Sequence, residues 1–182
     1  MKRLFIAIPV SEEVRAMVAL LNQQLKETGN NFNFVSLENL HFTVKFLGDV
    51  DDSKVDELKF QMKQLAIGLK PFSVEFKGVG VFPDSNNIKV IWVGMEGKYL
   101  VPLMKSAEEI FSNIRREERE EKPHLTIGRV KLVKNIERLH SLLKKVESLS
   151  FGSMDVRELI LFESNLTPVG PIYTALEKVR LG

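Results

Sequence analysis

The apolar positions of this 182-residue chain recur with two periods. Every second position, or an unbroken run of β-branched and aromatic residues, predicts a strand; every third or fourth predicts a helix. The strand pattern covers residues 4–10, briefly 32–35, then 41–47, 72–82, 88–95, 124–130, 151–162 and 172–181. The helical pattern occurs four times. It runs through Val14, Met17, Val18, Leu21 and Leu25, then through Val55, Leu58, Met62 and Leu65. It returns through Leu100, Leu103, Met104, Ala107, Ile110 and Phe111 within 98–114, and through Ile136, Leu139, Leu142, Leu143 and Val146. Ser11, Asp52 or Ser53, and Asn135 are N-cap residues, and Gly29-Asn30 and Gly68 are helix stops. Gly48-Asp49 closes the strand 41–47, Gly78 and Gly80 mark a bulge or bend, and residues 83–87 form a turn.

Each half of the chain therefore reads strand, helix, strand, helix, long strand. The shift that lays His41 on His124 also lays Phe5 on Ile88, although few letters match. No Pro-, Gly- or Ser-rich linker separates the halves. The expected fold is α+β: a single bilobal domain over 1–182 with an internal pseudo-repeat, about 1–82 and 83–182. Two antiparallel sheets would face a central cleft, with helices on the outer faces.

Composition narrows the class. At 44% apolar and 27% charged, the chain is an ordinary globular one. No apolar run is long enough to span a membrane. The apolar start at residues 4–8 stops at Pro9 and acidic residues follow, so it reads as a strand and not an export signal; a cytoplasmic protein is expected. With no cysteine there are no disulfides and no thiolate chemistry. A net charge of +2 does not by itself indicate nucleic acid. The run 115–122 mixes four positive and four negative residues and reads as a solvated loop, as do Lys131, Lys134, Lys144 and Lys145.

Two tetrapeptides then stand out: His41-Phe42-Thr43-Val44 and His124-Leu125-Thr126-Ile127. Each begins a predicted strand. The chain has three histidines, and two of them occupy this one pattern, which makes the pair specific where one copy would be weak. Alternation puts His41, Thr43 and Lys45 on one face, opposite Phe42, Val44 and Phe46. It puts His124, Thr126 and Gly128 opposite Leu125 and Ile127. Facing lobes would bring two His and two Thr into one cleft. Two imidazoles with ordinary values near 6.5 can serve as an acid and a base, and two hydroxyls can hold anionic oxygens. A phosphodiester attacked in line matches this set. A catalytic zinc would need a third protein ligand, which no motif supplies; no metal or cofactor is expected. His140 lies on a helix face beside Ile136 and Leu143 and reads as structural. There is no Gly-x4-Gly-Lys-Ser/Thr, so ATP use is not implied, and no Gly-x-Ser-x-Gly elbow.

These residues resemble the duplicated signature of the two-histidine phosphoesterases. Residues 39–48, the opening residues 3–8 and residues 123–129 are similar to the RNA 2′,3′-cyclic phosphodiesterases, also called 2′-5′ RNA ligases. The resemblance implies a bilobal fold and metal-independent hydrolysis of RNA 2′,3′-cyclic phosphate ends to 2′-phosphomonoesters. It implies His41 as proton donor to the departing 3′ oxygen, His124 as proton acceptor from water, and Thr43 and Thr126 as holders of phosphate oxygens. An RNA 5′-hydroxyl in place of water would give 2′-5′ ligation. The partner would be RNA with a cyclic phosphate end, tRNA fragments being one such RNA, and the default is a monomer with no membrane association. Arg129 matches a phosphate contact of the family. By strict alternation it falls on the apolar face, unless Gly128 breaks the register or the strand has ended. Phe5 matches an N-terminal aromatic position that would stack on a base, and reads equally as core. Lys45 reads equally as an RNA phosphate contact or a solvated lysine. Two rival readings stay open. One is a related phosphodiesterase acting on small cyclic nucleotides or 2′-5′ oligonucleotides; the other is a non-catalytic RNA-end-binding module.

Overall fold

The computed structural model describes residues 1–116 and 122–182. Residues 117–121 of the charged run lie outside the described residues; Arg115, Arg116 and Lys122 at its edges are exposed. Nine strands form two antiparallel sheets among the described residues. The first has the order β3 (His41–Val50), β1 (Lys2–Pro9), β8 (Glu158–Thr167), β9 (Gly170–Arg180). The second has the order β2 (Asn31–Phe34), β6 (His124–Leu132), β5 (Asn87–Glu96), β4 (Phe72–Asp84), β7 (Ser150–Val156). The helices are α1 (Glu12–Glu27), α2 (Val55–Ala66), α3 (Leu100–Ile110) and α4 (Ile136–Val146).

Local chemistry accounts for most element ends. The Ser11 hydroxyl accepts from the Val14 amide at the start of α1, and the Asn135 side chain accepts from the Arg138 amide at the start of α4. Val14, Val18, Leu21 and Leu25 form the buried stripe of α1. Helix α3 is shorter than the predicted span 98–114. The chain leaves the helix at Phe111, which stays buried, so the apolar period there continues through a turn. Strand β3 runs past Gly48 to Val50, because Gly48, at φ +76°, bulges the strand instead of ending it. The predicted strand region 151–162 is two strands. β7 ends at Val156, β8 starts at Glu158, and at Arg157 the chain changes sheet.

The division at residue 82 does not coincide with the sheets. β4, from the first half, lies in the second sheet beside β5; β8 and β9, from the second half, lie in the first sheet beside β1. The cause is local. The Asp84 carboxylate accepts from the amides of Asn86 and Asn87, closing a tight turn that pairs β4 with β5. β8 pairs with β1 in the matching way. Helices cross over too. α1 follows a strand of the first sheet yet packs against β2 and β7 of the second, with α4 beside it on β4. α3 follows β5 of the second sheet and packs against β3 of the first, where α2 covers β8 and β9. The motif strands β3 and β6 belong to different sheets and contact each other.

Candidate active site

Strands β3 and β6 carry the same irregularity at the same place. In β3, Thr43 pairs with Ala7 and Lys45 with Ile6, so Val44 has no partner on β1. In β6, Thr126 pairs with Trp92 and Gly128 with Ile91, so Ile127 has no partner on β5. Each is a one-residue bulge, and a bulge inverts the side-chain alternation beyond it. Up to the threonine, both strands behave as alternation predicts: His41, Thr43, His124 and Thr126 are half-buried on the cleft side, while Phe42, Val44, Leu125 and Ile127 are buried in the core. After the bulge, Lys45 and Gly128 turn inward and Phe46 and Arg129 turn to the cleft. This break of register brings Arg129 to the side of His124. The break lies at Ile127. Gly128 serves the close approach of β2, since a Cβ there would stand 3.0 Å from the Phe34 ring.

The resulting cleft has a volume of about 730 Å³ and is lined by His41, Thr43, His124, Thr126 and Arg129 together. Each histidine is held by the backbone two residues before it. His41 Nδ1 is 2.7 Å from the Asn39 carbonyl and His124 Nδ1 is 2.7 Å from the Lys122 carbonyl. A carbonyl only accepts, so in both rings Nδ1 carries a proton and donates it. That leaves Nε2 as the nitrogen that can gain or lose a proton with the Nδ1 bond kept. Aromatic rings flank both imidazoles. Phe5 lies 4.9 Å from His41, and Tyr173 meets it edge-on at 5.3 Å. Phe82 meets His124 edge-on at 5.1 Å, with Trp92 at 6.2 Å. The Lys122 ammonium stands 4.6 Å from the Trp92 ring, so one residue braces His124 from both its ends. Burial pushes the His41 imidazole below its ordinary 6.5, outweighing the hydrogen bond to Asn39, which acts the other way. Burial raises the Tyr173 hydroxyl above its ordinary value of 10.0, so it stays neutral.

Two sequence expectations need correction. Lys45 does not face the cleft. It is 3% exposed and paired with Glu108 of α3, because the bulge at Val44 turns it to the helix side. Phe5 lines the cleft but is only 4% exposed, its ring committed to His41, Phe162 and Tyr173. It has no face to offer a base and acts as the backing of His41. His140, read as structural, donates from Nε2 to the Ser85 carbonyl at 2.8 Å and is not among the residues lining the cleft. The site also uses residues that the pattern did not single out. Asn39 gives its carbonyl to His41 and donates from its side chain to the Pro171 carbonyl at 3.0 Å, tying the β8–β9 hairpin to the ring. Tyr173, Arg3 and Phe46 also line the cleft. Asn39 stands in the motif's flank and was legible as such; Tyr173 carries no signal at all in one dimension. Among the described residues, no group of three or more His, Asp or Glu side chains is placed to hold a metal ion. No helix there is long and apolar enough to cross a membrane.

An α+β fold whose two sheets each present a His-Thr strand to a shared cationic cleft is a phosphoesterase architecture. The chain belongs to the LigT-like phosphoesterase family, whose model matches residues 8–92 and 96–173. It is 40% identical over 177 residues to the RNA 2′,3′-cyclic phosphodiesterase of Methanocaldococcus jannaschii, covering 97% of this chain and 99% of that one. It is 39% identical over 181 residues to the enzyme of the same name from Methanothermobacter thermautotrophicus, covering 98% of both. Among solved structures, that of the Thermus thermophilus protein TT0787 superposes with a TM-score of 0.84 at 26% identity, covering 98% of this chain and 97% of that one.

Proposed function

We propose that the chain is an RNA 2′,3′-cyclic phosphodiesterase, a hydrolase that opens the terminal cyclic phosphate to a 2′-phosphomonoester. His124 Nε2 takes a proton from water as the water oxygen bonds to phosphorus. His41 Nε2 gives its proton to the 3′ oxygen as the P–O3′ bond breaks. Thr43, Thr126 and Arg129 hold the non-bridging oxygens, where negative charge builds in the transition state. The observation that carries this reading is the matched pair of bulged strands. It sets an imidazole, a hydroxyl and, on one side, a guanidinium around one cavity, from two directions. The names and near-full coverage of the relatives support the substrate class. The donor role of His41 follows the family resemblance. Burial by itself favours the neutral His41 ring in the empty cleft, and a bound phosphate anion favours the imidazolium that a donor needs. With an RNA 5′-hydroxyl in place of water, the same transfers yield a 2′-5′ bond and a free 3′-hydroxyl.

The test is incubation with a 2′,3′-cyclic nucleotide and identification of the product. The 2′-phosphate is expected, with His41→Ala and His124→Ala each lowering turnover by about 10²–10⁴-fold in a folded protein. Full activity in either variant, or a 3′-phosphate product, overturns the mechanism.

A further inference from the structure

The bulge at Val44 does to Phe46 what the bulge at Ile127 does to Arg129. Each residue stands five after its histidine, and each turns onto the cleft face. Where the second sheet offers a guanidinium directly, the first offers an aromatic ring with guanidiniums laid against it. Arg3 Cζ is 5.1 Å from the centre of the Phe46 ring and Arg115 Cζ is 5.0 Å from it. Gly48 leaves room for this stack, since a Cβ there would come within 3.1 Å of Arg115 Nη1. Arg3 lines the cleft, is exposed, and forms no ion pair among the described residues. A guanidinium lying on an aromatic face keeps its edge N–H groups in a fixed plane, the arrangement that binds a phosphate with two parallel hydrogen bonds.

Position matches chemistry. Arg3 and Phe5 are two apart on β1, and the Phe5 ring packs on His41. Two residues of strand separate them by about 7 Å, and both line the cleft. Among the described residues, the charged side chains lining the cleft beside the two histidines are Arg3, Arg129 and one carboxylate, Glu38. Of these, Arg3 is the cation at the β1–β3 end.

We infer that Arg3, held over the Phe46 ring that also carries Arg115, forms a second phosphate subsite. It takes the phosphodiester that joins the terminal nucleotide to its upstream neighbour, so the cleft selects an oligonucleotide end over a cyclic mononucleotide. The inference rests on the cyclic phosphodiesterase reading above.

Three substrates test it: a cyclic mononucleotide lacking a 5′-phosphate, a dinucleotide ending in a 2′,3′-cyclic phosphate, and that dinucleotide with a neutral methylphosphonate linkage. The charged dinucleotide should have a kcat/KM about tenfold above the other two, through KM, a factor in the range of one charge-assisted hydrogen-bonded contact. Arg3→Ala should abolish that preference, Arg3→Lys should keep part of it, and Phe46→Leu should weaken it by freeing the guanidinium. A merely structural role for Arg3 would move all three substrates alike, and that result overturns the subsite. So does equal hydrolysis of the charged and neutral dinucleotides by the parent protein. Hydrolysis of none of the three overturns the activity itself, and the subsite with it.

Discussion

The two cleft imidazoles each bind a backbone carbonyl at the same offset and each sit among aromatic rings, yet their sequences do not rank them as acid and base. The donor role proposed for His41 follows the family resemblance, and burial sets the pH range in which it can act. Its ring is backed by Phe5 and Tyr173, and the loss of water lowers its proton affinity below the usual 6.5. An acid must be protonated to act, so kcat/KM, which reports the free enzyme, should fall as pH rises through that lowered value. The alkaline limb of kcat/KM is therefore expected below 6.5. The limb of kcat should lie higher, because the bound phosphate anion favours the imidazolium. Phe5→Ala lets water reach the ring and should move the kcat/KM limb upward. Profiles measured from about pH 5 to 9 check this; a limb above 6.5 that ignores Phe5→Ala would sink the donor assignment.

At the scale of elements, the paired bulges matter most. Their side-chain pattern was legible through the four residues of each motif and misleading after them. Simple alternation placed Lys45 with His41 and Arg129 away from His124, and both placements fail just beyond the threonine. The unpaired residues, Val44 and Ile127, are ordinary β-formers that would suit a regular strand equally well. What unpairs them is the register of β1 and β5, and no residue within the motif strand records it. The consequence for Lys45 is measurable. Lys45→Ala removes a buried side chain, with the packing of its stem and its ion pair to Glu108 of α3, which should cost about 2 kcal/mol in urea unfolding. At temperatures where the variant stays folded, kcat/KM should stay within a few-fold of the parent. An RNA-contacting lysine would behave in the opposite way, with KM raised and stability unchanged.

For the molecule as a whole, the exchange of long strands sets the architecture. β1 lacks its neighbour β8 without the second half; β5 lacks β4, and β6 lacks β2, without the first. Neither half can complete a sheet, and each would expose the apolar faces that the other's helices cover. We therefore expect one cooperative unfolding transition for the full chain. A chain cut between Asn86 and Asn87 should give two fragments that are unstructured by circular dichroism when separate and regain structure and activity when mixed. A fragment 1–86 that folds by itself with a sharp transition would show the halves to be the true units, contrary to the sheet order.

The strands and helices to within a few residues, the caps at Ser11 and Asn135, and the matched tetrapeptides with their His and Thr on one face were all legible in one dimension. They follow from side chains, whose period and chemistry are written in the chain. Which strands lie side by side, where the region 151–162 breaks at Arg157, and which way Lys45, Phe46 and Arg129 point came only with the folded arrangement. Those features depend on backbone hydrogen bonds between distant segments. A backbone amide pairs with any partner that geometry brings to it, so the choice of partner leaves no mark on the residues that make it.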